Sequence, residues 1–135
     1  MVLIKWSSGL SVGIKKIDSQ HEYFVRLINS TYDSVENNDN YKVLKEIPEL
    51  INYARTHFAA EEEVFEKYNY PFTTEHKKEH VKLTEKAISF YDRAQKGENI
   101  GEEFLEYLKD WLENHLKTHD FKYAKYFKEN KIKVE

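Results

Sequence analysis

Histidine is the residue of this sequence best suited to chemistry, and most of its histidines fall on predicted helix faces that also carry apolar side chains. His57 and Glu61 are four residues apart, and so are His76 and His80. An α-helix advances about 100° per residue, so side chains four residues apart project from one face, separated by only about 40°. Imidazole and carboxylate groups placed side by side on an inner helix face predict a metal site.

A single histidine on such a face is more often a core residue that is hydrogen-bonded to a carbonyl or to a buried water. That explanation fails for several histidines together with Glu61, since a glutamate is rarely buried unless it is paired. The histidines come from all four predicted long helices, and a shared metal site explains the whole set. These candidate ligands are His21, His57, His76, His80 and His115.

Stretches with apolar residues at helical spacing must position these groups. Their short connections predict an all-α fold, an antiparallel up-down four-helix bundle with an N-terminal arm and a short C-terminal helix. Asp18 is the expected N-cap of the first helix. We predict one domain over 1–135, with the arm at 1–16, helices at about 18–37, 42–67, 73–95 and 101–118, and the short helix at about 121–131.

Charge and composition limit the possible partners and compartment. Lys and Arg number 21 against 24 Asp and Glu, a net charge of −3 that indicates neither nucleic acid nor an anionic membrane as partner. The sequence has no cysteine, which excludes disulfides and thiolate-bound metals within it and is compatible with a reducing compartment. The first residues lack the apolar run of a signal peptide or membrane span. We expect a cytoplasmic protein and, from its charged outer faces, a monomer.

The donor set narrows the choice of metal. Five imidazoles and a carboxylate exceed what one tetrahedral zinc uses, and magnesium or calcium would prefer oxygen ligands. Imidazole with carboxylate suits iron, and a set of this size divides over two ions. The sequence contains neither the Glu-x-x-His motif of carboxylate-rich di-iron bundles nor the His-Glu-x-x-His motif of metalloproteases.

The segment "NHLKTHD" at 114–120 offers His115 two possible partners. On an ideal helix the side chain of His119 lies about 40° from that of His115, whereas the side chain of Asp120 lies about 140° away. Spacing alone therefore favours His119. An Asp120 ligand would require an irregular helix between 115 and 120, such as a π-bulge or a loosened turn.

Distinctive segments are spread over nearly the whole chain: Trp6, "VGIKKIDSQH" at 12–21, "HFAAEE" at 57–62, "YPFTTEHKKEH" at 70–80 and "WLENHLKTHDFKY" at 111–123. Together they resemble the hemerythrins, in particular the single-domain bacterial hemerythrins. The resemblance implies the same four-helix bundle and a centre of two non-haem iron ions joined by an oxo or hydroxo bridge. By this resemblance one iron would be bound by His76, His80 and His115, the other by His21 and His57, and Glu61 and Asp120 would bridge them.

The same resemblance implies reversible O2 binding at the iron held by His21 and His57, for oxygen storage, transport or sensing rather than catalysis. Reversibility needs a dry pocket, because water and protons must be kept from the bound ligand. The expected pocket residues are apolar: Trp111, Leu112, Phe24, Ile28 and Phe58. Two alternatives remain, a di-iron redox enzyme (an oxidase, or a scavenger of peroxide or nitric oxide) and a zinc-stabilised bundle.

Some further polar residues are expected to have no ligand role. His119 is predicted to lie beside the ligands or at the surface. The tyrosines Tyr23, Tyr32, Tyr53 and Tyr123 could donate hydrogen bonds near the site, but most of them are predicted to be amphipathic edge residues. Among the charged residues of the run at 60–67, only Glu61 is predicted to lie on the inner stripe, and the exposed ones are assigned to a solvated helix face.

Overall fold

The computed structural model describes residues 3–134, and within that range every regular element is helical. The predicted fold class, a four-helix bundle with an N-terminal arm and a short C-terminal helix, is therefore confirmed. Residues 1 and 2 of the predicted arm, and residue 135 at the end of the predicted domain, lie outside the described range. The elements are a 3₁₀ turn at Ser8–Leu10, α1 at Lys15–Glu36, α2 at Asn40–Lys67, α3 at Thr73–Gln95, α4 at Gly101–His115, a π-helical turn at Leu116–Asp120 and α5 at Phe121–Glu129.

Helix α1 shows how an apolar stripe carries a polar group into the core. Its buried positions step by threes and fours and include Ile17, Phe24 and Ile28, all at most 4% exposed. His21 lies in the same row and is only 2% exposed. Burial of apolar side chains of this size contributes about 1.5–3 kcal/mol each, so the stripe fixes which face of α1 turns inward. The histidine is buried with it.

The first three long helices end in the same way, which sets the short connections between them. The residue after each C-cap has a positive φ: 54° at Asn38, 54° at Asn69 and 90° at Gly97. Asparagine and glycine tolerate this left-handed conformation better than other residues do. The following amide then bonds a carbonyl five residues earlier, as from Tyr70 N–H to the oxygen of Phe65. These Schellman-type ends let the next helix return along the bundle.

Helix α1 begins at Lys15, three residues before its predicted start, and Asp18 does not cap it. The carboxylate of Asp18 instead accepts hydrogen bonds from the Ser11 hydroxyl (2.6 Å) and the Val12 amide (2.8 Å). The expected cap is wrong because these two donors of the arm occupy both carboxylate oxygens. Asp18 thus fastens the arm to the first turn of α1.

A second contact fastens the beginning of the arm. The side-chain oxygen of Asn29 accepts hydrogen bonds from the amides of Leu3 and Ile4, both at 3.0 Å. Its side-chain nitrogen donates to the Ile4 carbonyl at 2.9 Å. The arm therefore lies along α1 as part of the folded domain. Of the helices within residues 3–134, none combines the length and apolar character needed to cross a membrane.

Candidate metal centre

Seven potential ligands meet inside the bundle, and they come from every long helix and from the π-helical turn. All are at most 4% exposed. Burial of so many imidazole and carboxylate groups together is costly unless they are paired or coordinate metal. The seven are His21 on α1, His57 and Glu61 on α2, His76 and His80 on α3, His115 at the end of α4, and Asp120 at the end of the π-helical turn.

The ligands form two overlapping groups. In each group, one potential ligand atom per residue lies within 4.8 Å of those of the others. Glu61 belongs to both groups, and each group provides four donors. The structure therefore brings together all seven residues that were predicted as ligands. The first group is Glu61, His76, His80 and His115; the second is His21, His57, Glu61 and Asp120.

Asp120 directs its two oxygens towards different groups. Its Oδ1 lies 3.2 Å from Nε2 of His76 and 3.2 Å from Nε2 of His115. Its Oδ2 lies 3.1 Å from Nε2 of His21. The carboxylate therefore spans the two groups, as a bridging ligand must.

Glu61 contacts both groups through a single oxygen. Its Oε1 lies 3.3 Å from Nε2 of His57 and 3.2 Å from Nε2 of His80. Its Oε2 accepts a 2.7 Å hydrogen bond from the Tyr123 hydroxyl. Tyr123 is fully buried, so it is not among the tyrosines at amphipathic edges and instead donates a hydrogen bond at the site, the alternative left open for it by the sequence. A sequence signal is its position on the stripe that continues from Asp120 through Phe127.

The π-helical turn brings Asp120 to this position. The Phe121 amide bonds the Leu116 carbonyl, five residues earlier, rather than the carbonyl four residues earlier. This confirms the irregular helix that an Asp120 ligand requires. Single π-turns are rare in proteins and are frequently found at functional sites.

The residues present fit a metal ion. Six inward-facing atoms are buried and have no hydrogen-bond partner among residues 3–134, although they lie close to one another. Leaving a buried polar atom unpaired costs about 1–3 kcal/mol, and more for a charged one. Nitrogen and oxygen atoms that converge without bonding each other are what metal coordination satisfies. The six are Oε1 of Glu61, both oxygens of Asp120, and Nε2 of His76, His80 and His115.

Two of the imidazoles are oriented by a second residue behind them. Nδ1 of His57 lies 2.7 Å from Oε1 of Gln20, and Nδ1 of His80 lies 2.8 Å from Oε2 of Glu62. An oxygen there selects the tautomer with hydrogen on Nδ1, which leaves Nε2 free to bind metal. The assignment of Glu62 to a solvated face was wrong. Glutamates occupy all of 61–63, so nothing in their spacing singles out Glu62 as the residue that orients His80.

The carboxyl groups are ionised in this arrangement. Burial raises the pKa of Asp120, but His115, His21 and His76 outweigh it and hold that pKa well below its ordinary value. Burial and Asp120 raise the pKa of Glu61, but His57 and His80 outweigh them and lower it. Two carboxylates therefore contribute negative charge that would neutralise bound cations.

The pKa values of His57 and His115 are shifted in opposite directions. Burial lowers the pKa of His57 despite the opposing effect of Glu61, which favours the neutral imidazole that binds metal. For His115, burial also lowers the pKa, but Asp120 outweighs it and the pKa is raised. Metal binding at His115 must therefore displace a proton more often than at His57.

A small, mostly apolar cavity of about 30 Å³ is lined in part by side chains that contact the ligands, although none of the seven ligands lines it. Phe24, Phe58 and Trp111 line it, whereas Ile28 and Leu112 are buried but do not. Three of the five expected pocket residues thus face this space. The Phe58 ring stacks on His80 with centroids 3.9 Å apart, and the Trp111 ring stacks on His115 at 5.6 Å.

His119 lies next to the centre and is only half-buried. Its Nε2 is 4.0 Å from Oε1 of Glu79, and its side chain is 32% exposed. Its ring centroid is 5.3 Å from that of His115 and 5.7 Å from that of His76. Burial, with smaller contributions from the neighbouring histidines, lowers the pKa of His119.

The fold and this site define a helical-bundle protein with a buried histidine and carboxylate cluster for cations. Residues 12–127 match the sequence profile of the hemerythrin HHE cation binding domain. The chain therefore belongs to the hemerythrin family, as the sequence segments predicted.

Relatives and a solved structure agree with this placement. The chain is 34% identical to the bacteriohemerythrin of Pseudomonas aeruginosa (strain LESB58), over 92% of this chain and 81% of that protein. It is 30% identical to the hemerythrin-like protein of Naegleria gruberi, over 87% of this chain and 88% of the relative. A crystal structure of wild-type hemerythrin superposes with a TM-score of 0.85 at 25% identity, covering 91% of this chain and 96% of that one.

Proposed function

We propose that this protein binds O2 reversibly, without catalysing its reduction, at two iron ions held by the seven buried ligands. The observation that carries the proposal is the unequal division of the histidines between two groups that share their carboxylates. Three histidines surround one position and two surround the other. A position with fewer protein donors leaves room for a small ligand, which is how a catalytic or ligand-binding metal site differs from a closed one.

Each set of residues has a role in this proposal. His76, His80 and His115 would hold one ion, His21 and His57 the other, and Glu61 and Asp120 would bridge the two. Iron held by these residues would supply the redox chemistry that reversible O2 binding needs. The seven ligands keep the ions together inside the bundle and shielded from solvent, at 4% exposure or less.

The surrounding residues favour reversible binding over turnover. The cavity beside the centre is lined almost entirely by apolar side chains, including the rings of Phe24, Phe58 and Trp111. Such a lining excludes water and limits proton delivery, which an oxidase or a peroxide scavenger would need. At about 30 Å³ the cavity has space for a diatomic molecule or a water, but not for an organic substrate.

Iron analysis combined with optical spectra tests the proposal. Protein loaded with ferrous iron under nitrogen is expected to hold two iron ions per chain, to gain colour in air and to bleach when O2 is removed. Repeated cycles should return the same spectrum. A one-way conversion to the diferric form with consumption of added peroxide would instead support the redox enzyme. Purification with one zinc per chain and no iron uptake would support a structural metal site.

A further inference from the structure

The buried centre needs a route by which metal ions reach it. None of the seven ligands is more than 4% exposed, so an ion in solvent cannot contact them directly. Half-buried polar side chains adjoin the ligands, among them Gln20, Glu62, Glu79 and His119. Gln20 and Glu62 are already hydrogen-bonded to ligand imidazoles at 2.7 and 2.8 Å. His119 is in a different situation.

His119 and Glu79 lie close together without being hydrogen-bonded to each other. Nε2 of His119 is 4.0 Å from Oε1 of Glu79, which is beyond hydrogen-bond length. Both side chains reach solvent, at 32% and 28% exposure. An imidazole and a carboxylate at this separation can contact one cation that sits between them.

This pair is linked to the buried centre through His115. Glu79, His115 and His119 form a third group whose potential ligand atoms lie within 4.8 Å of one another. His115 also belongs to the inner group with Glu61, His76 and His80. It is only 4% exposed, and neither of its ring nitrogens has a hydrogen-bond partner among residues 3–134. One buried imidazole is therefore common to a half-exposed group and to the centre.

We propose that Glu79 and His119, together with His115, form a transient binding site through which divalent transition-metal ions enter the buried centre. An ion captured by Glu79 and His119 keeps part of its hydration shell, because both residues face solvent. Contact with His115 then allows the ion to exchange outer ligands for inner ones without returning to solvent. This inference rests on the metal-binding part of the proposed function and is independent of O2 binding.

The position of the pair in the fold suits this role. Glu79 lies on α3 between ligands His76 and His80, and His119 lies in the π-helical turn between His115 and Asp120. The pair therefore lies between α3, which supplies His76 and His80, and the turn that directly follows His115.

The test is the rate at which metal-free protein takes up Co(II), followed by stopped-flow absorbance. For the unmodified protein the observed rate should saturate with Co(II) concentration, since capture precedes a first-order transfer. Glu79→Gln and His119→Gln should each slow uptake at low Co(II) by about tenfold or more, the effect of losing one supporting ligand. Final stoichiometry and final spectrum should match those of the unmodified protein.

Glu85→Gln and Lys117→Gln serve as matched controls. Glu85 is an exposed carboxylate further along α3, and Lys117 is exposed on the same π-helical turn. Both variants should take up Co(II) at a rate within about twofold of that of the unmodified protein, because surface substitutions of this kind have small effects. Equal slowing by Glu85→Gln would mean a general charge effect and would overturn the proposal.

The other outcomes are equally decisive. Unchanged uptake in both pair variants would show that metal enters elsewhere, and loss of bound Co(II) at equilibrium would make the pair part of the permanent ligand set. Either result rejects transient capture. Slowed uptake in a protein whose iron form does not bind O2 reversibly would support this inference while the proposed function fails.

Discussion

Oδ1 of Asp120 lies 3.2 Å from Nε2 of His115, although an unbroken α-helix would turn the two side chains about 140° apart. The π-helical turn at Leu116–Asp120 removes this mismatch by adding one residue to the turn. The same addition leaves His119 pointing away from the shared carboxylates, towards Glu79. The π-helical turn thus places Asp120 among the inner ligands and leaves its neighbour His119 outside them, although both side chains can bind metal.

Substitution of Asp120 should have a much larger effect than substitution of its neighbour. Asp120→Ala removes the carboxylate that spans both histidine groups and leaves facing imidazoles without a counter-charge. We expect it to lose bound iron and the oxygenated spectrum. His119→Ala should retain both at equilibrium, because its Nε2 is 4.0 Å from Glu79 and outside the two inner groups. Metal content per chain after dialysis measures the difference, and the opposite pattern would reject the assignment of Asp120.

Tyr123→Phe should destabilise the protein without unfolding it. The variant removes the donor of the 2.7 Å hydrogen bond to Glu61 Oε2 and leaves a buried carboxylate oxygen unpaired. We expect a loss of about 1.5–3 kcal/mol in the free energy of unfolding, measured by urea denaturation of the metal-free protein. Tyr126→Phe, on the half-buried side of α5, is the control and should lose less than about 1 kcal/mol.

A double-mutant cycle separates this hydrogen bond from simple packing. If the Tyr123 hydroxyl acts through Glu61, then Tyr123→Phe should cost less in a Glu61→Gln background than alone, because the charged acceptor is already gone. Full additivity of the two changes would show that the hydroxyl stabilises the core in some other way.

Loss of the residues behind the imidazoles should weaken metal binding while leaving the fold intact. Glu62→Gln and Gln20→Ala remove or weaken the oxygens that orient His80 and His57. Changes of this kind typically lower metal affinity by about 10- to 100-fold. Competition with a chelator measures the affinity, and Glu63→Gln, an exposed neighbour, is the matched control. Equal affinities for the Glu62 and Glu63 variants would contradict an orienting role.

The metal-free protein should lose stability in acid through its two buried carboxylates. The folded-state pKa values of Glu61 and Asp120 are lowered from ordinary values of 4.5 and 3.8. Their contribution is thus complete above about pH 5 and is lost as the pH falls below these values, because the unfolded chain binds the protons first. The pKa of His115 is raised in the folded protein, so its contribution to stability is complete below about pH 6.5 and is lost as the pH rises through the folded pKa. The pKa of His57 is lowered, so His57 has the opposite effect.

Urea unfolding between pH 3 and pH 7 measures this effect. We expect the free energy of unfolding to decrease as the pH is lowered from about 5. The double variant Glu61→Gln/Asp120→Asn should show a smaller decrease per pH unit in that range. An equally steep slope in the double variant would place the acid sensitivity in other carboxyl groups.

Most of the architecture could be predicted because its causes are local. Apolar residues at helical spacing show which face of each helix is buried, and the same rows contain His21, His57 and His115. The first helix boundary was misplaced for an equally physical reason. Asp18 has the side chain of an N-cap, but whether it caps α1 or binds the arm depends on where Ser11 and Val12 lie in space.

The sequence by itself determined the helical fold class, the inner faces and the residue types available for metal binding, since these depend on periodicity and composition along one chain. Its resemblance to the hemerythrins also named the seven candidate ligands. That resemblance also implied how the ligands divide between two irons, whereas only the tertiary structure decided that Gln20, Glu62 and Tyr123 support them. Those contacts join different helices, so they depend on the relative positions of helices rather than on spacing within one. Between His119 and Asp120, helical spacing favoured the first, and the π-helical turn brought the second to the centre.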